Sequence, residues 1–415
     1  MYICVDLKSF YASCECISRS LDPMKTPLVV ADESRGRGAI VLAISPYLKR
    51  LGIKNRCRLF EIPKNLPCII AKPRMKEYIK YSTEVYKCYL EFFSKDDIHV
   101  YSIDEVFIDI SSYLNLYLKS PLEIGKMVIE RIYQKTKLTA TCGVGSNLFL
   151  AKIAMDIYAK KNQTNIAFLD EEIYRMELWD YPHLEDFWQI GKGLTAKLHQ
   201  MGIKTMRDIC QTPEEKLYRA FGVNAKNLID HAYGKEECTM QDIKEYKPES
   251  RSLSFGQTFC EDYSFQEAIL VIKELAEISS LELLRKNLVA KTIVLSIGFS
   301  HSYNMKPMTV RSTLEIYTNS YTVLKKAFVD LFSREVPKIK IRKISVGFSN
   351  LKEESVIVYD LFTDVNELEK EKHLNKSLLA IKDRYGKSAV FRAMDLQDKA
   401  ITLKRNKLVG GHNGE

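Results

Sequence analysis

The sequence lacks the features of a membrane or secreted protein. No apolar run approaches the roughly 18 residues that a membrane-spanning helix needs, and the chain starts with a strand-like pattern rather than a signal peptide. It has no internal repeat and no low-complexity tract. Its 10 cysteines are scattered, and the closest pair, Cys14 and Cys16, has neither the spacing nor the nearby histidine of a zinc site. These absences predict a cytoplasmic protein with reduced thiols and no membrane partner.

The chain has enough apolar residues for several packed domains. It is 415 residues long and 46% hydrophobic, which predicts about two to four domains. There are 62 Lys plus Arg against 53 Asp plus Glu, a net charge of +9. This moderate positive charge is compatible with binding a polyanion but does not identify one.

Two adjacent acids, Asp104 and Glu105, stand in a stretch that otherwise has strand character, residues 101–109. Charges in a buried strand need compensation, and carboxylate oxygens are the ligands that Mg²⁺ takes. Because neighbours on a strand point to opposite faces, both acids serve one site only if the chain turns or twists between them. An exposed hairpin with two solvated acids would show the same pattern.

A second short strand ends in an acid near the start of the chain. Residues 1–7 are apolar apart from Asp6 and Tyr2, and a turn then leads into a helix. A lone acid at a strand end is usually only a cap. Next to Asp104 and Glu105, however, Asp6 would complete three oxygen ligands from two strands, which is what a two-metal site for phosphoryl transfer needs.

Together these motifs resemble the Y-family translesion DNA polymerases. The resemblance is carried by the Asp6 strand with its following aromatic pair and by the acidic strand, that is, by Phe10-Tyr11-Ala12 and Ser102-Ile103-Asp104-Glu105. It runs in order to about residue 350, is strongest to the bacterial UmuC-like (UvrX-type) enzymes, and includes residues 407–412. It implies an α+β multidomain fold, a right-hand polymerase with palm, small fingers, a helical thumb and a β-α-β-β-α-β little finger.

The element pattern and the resemblance together divide the chain into domains. The predicted domains are the palm (1–10 and 73–168), the fingers (11–72), the thumb (169–238), a linker (239–249), the little finger (250–350) and a C-terminal tail (351–415). The thumb carries a helix–hairpin–helix pattern. The tail fits none of the folded units and contains one predicted helix at about residues 370–384.

The resemblance implies a site with two Mg²⁺ ions, with Mn²⁺ as an alternative. The ligands would be the carboxylates of Asp6, Asp104 and Glu105 and the main-chain carbonyl of Leu7. One ion would activate the primer 3′ hydroxyl, and the other would hold the triphosphate and the leaving group.

The resemblance also implies contacts with a deoxynucleoside triphosphate. Phe10 and Tyr11 lie where relatives place a bulky ring beneath the sugar, and Lys49 and Lys160 lie where relatives contact the triphosphate. Pro46 stands where relatives often have a tyrosine, which leaves one triphosphate contact open. A core tyrosine and a lysine that compensates a helix dipole would give the same pattern.

Seven residues are predicted to contact primer–template DNA: Gly191, Gly193, Gly202, Arg251, Lys338, Lys340 and Arg342. The glycines mark the helix–hairpin–helix, whose exposed backbone N–H groups suit a phosphate; a plain αα-hairpin has a similar pattern. Lys338, Lys340 and Arg342 alternate with isoleucine on a strand predicted to start at Lys338, which indicates a cationic face, and Arg251 begins another predicted strand of the same unit. A solvated edge strand would also carry lysines.

Near the end of the chain, Asp360, Leu361 and Phe362 resemble the end of the peptide with which bacterial polymerases hold the sliding clamp. The usual first glutamine is replaced by Val358, so the match is partial. Two apolar anchors could enter a pocket on the clamp, or they could pack on their own protein. The sequence leaves open whether a recombinase filament or accessory subunits take part.

The predicted function is that of a DNA-directed DNA polymerase, which performs low-fidelity translesion synthesis in DNA repair and the SOS response. Two alternatives use the same residues. A two-metal nuclease would need an activated water and no triphosphate ligands, and a non-catalytic DNA-binding repair accessory would need only the hairpins and the basic strands.

Overall fold

The chain divides into two units near Tyr246. In the computed structural model, which describes residues 1–63, 65–248, 252–354 and 365–414, one unit comprises Met1–Tyr246 with His412–Glu415 and the other comprises Lys247–Gly411. No helix within the described ranges is long and apolar enough to cross a membrane.

The strands of the described residues are numbered in chain order: β1 (Tyr2–Leu7), β2 (Leu28–Val30), β3 (Ala43–Ile44), β4 (Ile69–Ala71), β5 (Ile98–Val100), β6 (Glu105–Asp109), β7 (Ala140–Gly145), β8 (Ile166–Leu169), β9 (Leu253–Tyr263), β10 (Leu288–Phe299), β11 (Met308–Thr318), β12 (Ile341–Glu353), β13 (Leu408–Val409) and β14 (His412–Asn413).

The α-helices are α1 (Phe10–Ile17), α2 (Pro46–Arg50), α3 (Met75–Leu90), α4 (Tyr113–Tyr117), α5 (Pro121–Thr136), α6 (Leu148–Ile153), α7 (Glu171–Leu178), α8 (Lys192–Gln200), α9 (Met206–Gln211), α10 (Glu214–Phe221), α11 (Ala225–Ala232), α12 (Met240–Glu245), α13 (Phe265–Arg285), α14 (Tyr321–Glu335), α15 (Val365–Tyr385) and α16 (Thr402–Asn406). Short 3₁₀ turns connect several of them. Helix α6 continues directly into a π-helical segment, Ala154–Ala159.

The acidic strands are neighbours in the main sheet of the first unit. Its strand order is β5-β6-β1-β7-β8, and β1 is antiparallel to both β6 and β7. The register places Asp6 opposite Glu105 and Cys4 opposite Gly143. Since alternate residues of a strand share a face, these residues lie on the same side of the sheet. Helix α5 packs on the other side of the sheet, and α3 packs against α5.

Two glycines let helix α6 lie directly on the sheet beside Asp6. A Cβ atom at Gly143 would lie 2.1 Å from the carbonyl oxygen of Ala151, and one at Gly145 would lie 2.2 Å from the nitrogen of Ala151. No side chain fits at such distances, so α6 can approach β7 this closely only where β7 has glycine. The glycine pair therefore brings the side chains of α6 to the acidic end of the sheet.

The smaller elements of the first unit pack around two further apolar clusters. A three-stranded sheet in the order β3-β2-β4 packs with α2 around Val29, Ile44 and Leu48. Pro46 occupies the first turn of α2, and the hydroxyl of Ser45 caps it. Helices α7 to α11 share a separate apolar core that includes residues of α6.

The second unit has the predicted β-α-β-β-α-β order. Its sheet runs β11-β10-β12-β9 and is antiparallel throughout, and α13 and α14 cover one face of it. The apolar core lies between this face and the two helices. The other face of the sheet is free of these helices and carries short polar side chains.

The expectation that the C-terminal residues fit no folded unit was wrong. The buried carboxylate of Glu274 on α13 accepts the backbone N–H groups of Ile401 (both oxygens, 2.9 Å) and Thr402 (2.8 Å), and Arg392 pairs with Glu277 at 3.0 Å. Residues 365–411 therefore belong to the second unit. Apolar contacts add to these polar ones, since Ile401 is buried in the core of the second unit and Met394 packs against that core.

Two predicted boundaries also shift. The segment predicted as a linker, residues 239–249, contains helix α12, which begins with a capping box between Thr239 and Asp242. In the second unit, the strand predicted to start at Lys338 begins at Ile341.

Candidate active site

Asp6 and Glu105 each pair with a lysine. Lys152 belongs to α6, and Lys160 ends the π-helical segment that continues α6. Lys160 Nζ lies 3.4 Å from Asp6 Oδ2, and Lys152 Nζ lies 2.7 Å from Glu105 Oε1. Asp156 stands between the two lysines, 3.0 Å from Lys152 and 2.8 Å from Lys160. The result is a row of alternating charges along one side of the helix, facing the end of the sheet.

Asp104 lies just outside strand β6. Residues 102–104 form a bend, and the Asp104 carbonyl accepts the N–H of Leu7 at 3.0 Å. The hydroxyl of Ser102 donates to the Asp104 carboxylate at 2.7 Å. The chain therefore does bend between the two adjacent acids, which is the condition for both of them to serve one site.

The electrostatic setting of Asp6 reflects this crowding of acids. Burial, with smaller contributions from Asp104 and Glu105, raises the pKa of Asp6 to about 6, although Lys160 acts in the opposite direction. Concentrated negative charge of this kind attracts cations.

The oxygen atoms at this site are of the type that Mg²⁺ binds, but the side chains are not all positioned to bind it. Asp6 and Asp104 offer carboxylate oxygens, and Leu7 adds a main-chain carbonyl, all of which suit this ion. The Glu105 carboxylate, however, is held by Lys152 and by the thiol of Cys4 at 3.4 Å. Throughout the described ranges, no three His, Cys, Asp or Glu side chains are grouped so as to hold a metal ion.

Besides Lys152, three more lysines lie near the acids. Burial lowers the pKa of Lys49 on α2, and Lys49 interacts electrostatically with Asp6, Asp104 and Lys160. Burial also lowers the pKa of Lys8, and the positive charge of Lys49 lowers it further. Lys8, Lys49 and Lys160 thus lie within electrostatic reach of one another. Such a group suits a polyphosphate, and the sequence had pointed to only two of its members.

Tyr11 lies at the start of α1 and interacts electrostatically with Asp104. It is half-buried, and its ring stacks on the ring of Tyr78 with 4.6 Å between centroids. Phe10 is buried, with its ring 5.6 Å from that of Tyr11. Tyr11 is therefore a partly exposed aromatic side chain next to the acids, rather than a residue of the core.

Sequence reasoning missed two residues here, Lys152 on α6 and Asp156 in the π-helical segment that continues it. With the predicted Lys160 they follow one another at intervals of four, the spacing that keeps side chains on one helix face. That spacing was the available signal for the charged row. Lys161, by contrast, faces Tyr181, with its Nζ 3.4 Å from the hydroxyl.

The three predicted glycines of the helix–hairpin–helix differ in their surroundings. Gly202 has a φ of +82°, a conformation that favours glycine, and it terminates α8. Gly191 is the N-cap of α8 and Gly193 lies in its first turn. A Cβ atom at either position would meet nothing within 4 Å. The backbone conformation therefore accounts for a glycine at position 202. At Gly191 and Gly193 the absence of a side chain leaves open space at the N-terminus of α8.

The predicted cationic strand face is not formed as expected. Lys338 and Lys340 precede β12 in a bend, and the register of β12 shifts at Arg342, which pairs with Asp262 at 3.4 Å. The shift breaks the alternation that predicted a shared face. Arg251, like Asp360, Leu361 and Phe362, lies outside the described residues.

The open face of the second sheet carries two exposed basic residues, Lys343 and Arg311. Around them the registered strands place small or hydroxyl-bearing residues: Ser254, Gly256, Thr258, Thr292, Ser296, Gly298, Thr309, Thr313, Ser345 and Gly347. A flat surface of this kind allows a phosphate backbone to approach the main chain closely.

Comparison with known proteins agrees with this architecture. Models of the impB/mucB/samB family and of its C-terminal domain match residues 5–156 and 250–361. The chain is 32% identical to the putative UV-damage repair protein UvrX of Bacillus subtilis (strain 168), covering 99% of this chain and 97% of that protein. It is 29% identical to DNA polymerase IV 2 of the same organism, covering 98% and 97%.

The structural comparison concerns the fold. A Y-family DNA polymerase chimera aligns with a TM-score of 0.66 over 85% of this chain and 99% of that chain, at 22% identity. The fold is thus that of the Y-family polymerases. The chain belongs to the impB/mucB/samB family, which confirms the resemblance seen in the Asp6 and Asp104–Glu105 motifs.

Proposed function

We propose that this protein is a DNA-directed DNA polymerase that carries out low-fidelity translesion synthesis past damaged template bases. The observation that carries the proposal is the meeting of Asp6, Asp104 and Glu105 at one end of the palm sheet, beside Lys8, Lys49 and Lys160. Relatives that share almost the full length of the chain are named as DNA polymerase IV and as a UV-damage repair protein.

Asp6, Asp104 and Glu105, with the carbonyl of Leu7, are the residues that would hold two Mg²⁺ ions or, alternatively, Mn²⁺. Such ions, when bound, supply Lewis-acid activation of the primer 3′ hydroxyl and charge neutralisation at the leaving group. Lys152 keeps Glu105 oriented toward the sheet end. Lys160, which pairs with both Asp6 and Asp156, can exchange Asp6 for a phosphate while keeping its bond to Asp156.

The nucleotide-binding residues have distinct roles in this proposal. Lys49 and Lys160, together with Lys8, hold the triphosphate, because each is a cation within reach of the acids. Tyr11, supported by Phe10, lies beneath the sugar of the incoming deoxynucleotide and leaves no room for a 2′ hydroxyl. Discrimination against ribonucleotides then follows from the shape of the site.

Primer–template DNA would be held without reading its sequence. Gly191 and Gly193 present backbone N–H groups at the start of α8 to a phosphate, and Gly202 shapes the turn that follows. The open face of the second sheet, with Lys343 and Arg311, offers a second surface for phosphates. Lys338, Lys340 and Arg342, near the start of β12, stay as proposed contacts, as does Arg251, which lies outside the described residues.

Further partners are proposed from the sequence alone. The peptide Asp360-Leu361-Phe362 would tether the enzyme to a sliding clamp and so raise its effective concentration at the primer end. A recombinase filament or accessory subunits would join at damaged DNA, in the cytoplasm. Replacement of Leu361 and Phe362 by alanine should abolish stimulation by a loaded clamp while leaving basal extension unchanged.

The nuclease and accessory alternatives are less favoured. A nuclease would use the acids without needing three lysines beside them, and an accessory would need neither group. A primer-extension assay with Mg²⁺ and all four deoxynucleotides, on undamaged and damaged templates, separates the three. We expect extension on both templates. Shortening of the primer would indicate the nuclease, and an unchanged primer would indicate the accessory.

A further inference from the structure

A buried carboxylate lies one helical turn beyond Tyr11. The side chain of Glu15 on α1 is 0% exposed. Arg74 donates to it twice, from Nε at 3.0 Å and from Nη2 at 2.8 Å, and Arg19 also donates to it. Neither the acids of the active site nor the lysines around them contact this group, so its role is separate from theirs.

Tyr78 on α3 connects this carboxylate to the ring of Tyr11. Its hydroxyl donates to Glu15 Oε1 at 2.7 Å, and its ring stacks on that of Tyr11 with 4.6 Å between centroids and 22° between planes. Phe10 lies edge-on to the same ring at 6.4 Å. Because Tyr78 is 0% exposed, its hydroxyl cannot bond to bulk water in place of Glu15.

The two helices present these groups in matching order. Tyr11 and Glu15 are four residues apart on α1, and Arg74 and Tyr78 are four residues apart at the start of α3. Side chains at this spacing lie on one helix face. The aromatic stack and the ion pair are therefore neighbouring contacts between the same two helices, joined by the Tyr78 hydroxyl.

The carboxylate keeps its charge despite its burial. Burial alone would raise the pKa of Glu15, but hydrogen bonds from Arg74, Tyr78 and Arg19 together outweigh it, so the pKa lies below its ordinary value. A hydrogen bond to a charged acceptor is shorter and stronger than one between neutral groups. The Tyr78 hydroxyl is thus fixed by a strong acceptor that is itself held in place by two arginines.

We propose that Glu15 is a positioning residue for sugar selection and that it fixes the ring of Tyr11 through the hydroxyl of Tyr78. The inference rests on the proposed function, in which the Tyr11 ring excludes a 2′ hydroxyl. A ring that is stacked but not anchored can tilt away from the sugar and admit that hydroxyl. The bond between Tyr78 and Glu15 removes this freedom, so Glu15 acts on discrimination without touching the nucleotide.

The test is a comparison of Glu15→Gln, Tyr78→Phe and the double variant. For each, kcat/KM is measured for one deoxynucleotide and for the matching ribonucleotide in templated single-nucleotide incorporation. We expect the deoxyribose preference to fall about fivefold in each single variant, the equivalent of roughly 1 kcal/mol. The fall should come from a lower KM for the ribonucleotide. The double variant should fall no further, because both changes break the same link.

Two reference variants make the result decisive. Tyr174→Phe removes the hydroxyl of another fully buried tyrosine, which donates to the His231 carbonyl at 3.0 Å in the thumb, and it should leave the preference unchanged. Tyr11→Ala tests the gate itself. A preference that shifts in Tyr11→Ala but not in Tyr78→Phe would overturn the positioning role of Glu15 and leave the role of Tyr11 intact.

Other outcomes are equally informative. An equal loss of activity toward both sugars in Glu15→Gln and Tyr78→Phe would mean that the cluster is merely structural, and it would overturn the inference. If Glu15→Gln fails to fold, Tyr78→Phe, which keeps the ring and the ion pair, decides alone. An unchanged preference in Tyr11→Ala would refute the proposed gate and, with it, the role of Glu15.

Discussion

Asp6 and Glu105 lie opposite each other on antiparallel strands, yet their carboxylates are bound by different lysines. Asp6 pairs with Lys160 at 3.4 Å and Glu105 with Lys152 at 2.7 Å. The Glu105 pair is the more buried of the two, with both side chains about one-tenth exposed. Glu105 is therefore held firmly, whereas Asp6 is held by a lysine that has a second acidic partner. This difference defines which charges can rearrange when substrate binds.

The first prediction concerns the acid at the bend. Asp104→Ala removes a carboxylate without breaking the backbone bond between Asp104 and Leu7. Nucleotide incorporation should fall at least about 1,000-fold, the loss expected when a group that holds catalytic metal is removed. Binding of primer–template DNA, measured by fluorescence anisotropy, should stay within about threefold.

The control for this variant is Asp109→Ala, at the far end of the same strand, β6. It should retain incorporation close to the wild-type rate. Near-normal activity of Asp104→Ala would exclude Asp104 from the metal site.

The second prediction concerns two adjacent lysines. Lys160→Ala should raise the KM for deoxynucleotides by about tenfold, because the triphosphate then has one charge-assisted hydrogen bond fewer. Lys161→Ala is the matched variant, since Lys161 contacts Tyr181 rather than the acids. Steady-state incorporation kinetics should show little change for it. Equal effects of the two changes would argue against a triphosphate contact at Lys160.

The third prediction concerns the charge of Asp6. Its pKa of about 6 exceeds the ordinary 3.8, so the folded protein binds a proton that the unfolded chain has lost. This raised pKa therefore reduces stability as the pH rises from about 4 to above 6. In buffer with chelator, Asp6→Asn should raise the free energy of unfolding at pH 7.5 by about 3 kcal/mol, since one pKa unit corresponds to about 1.4 kcal/mol.

Urea titrations of wild type and Asp6→Asn across this pH range check the prediction. The stability difference between the two proteins should shrink toward pH 4, where Asp6 is protonated. A difference that is constant with pH would show that the Asp6 charge is not what destabilises the fold.

The fourth prediction separates two candidate DNA surfaces of the second unit. Arg311→Ala with Lys343→Ala should reduce the slope of log affinity against log salt by about 1.8, since each DNA phosphate that a side chain neutralises adds about 0.9 to this slope. Lys338→Ala with Lys340→Ala changes the same charge in the bend before β12. We expect a smaller change there, and a larger one would place the DNA path at that margin instead.

Local patterns predicted much of this fold. The apolar strand ending in Asp6 follows from a pattern of nearby residues, and the β-α-β-β-α-β order of the second unit was implied by the family resemblance. The paired acids were also visible, because charges in a strand are unusual. The bend before Glu105 was expected only if both acids served one site.

What the sequence did not reveal depends on distant packing. Lys152 reaches Glu105 only because Gly143 and Gly145 admit α6 against the sheet. The strand predicted to start at Lys338 begins at Ile341. Its register shifts at Arg342, where it pairs with the distant strand β9. The C-terminal residues join the second unit through Glu274, a buried acid whose partners are backbone N–H groups far along the chain.

The proposed template-directed polymerase activity is tested most directly by single-nucleotide incorporation opposite each of the four template bases. Wild type and Asp104→Ala are compared, with Mg²⁺ present and each deoxynucleotide supplied alone. We expect wild type to add the matched nucleotide fastest and to add mismatched ones at a measurable rate, and we expect Asp104→Ala to add none. Addition that ignores the template base, shortening of the primer, or equal activity of Asp104→Ala would contradict this proposal.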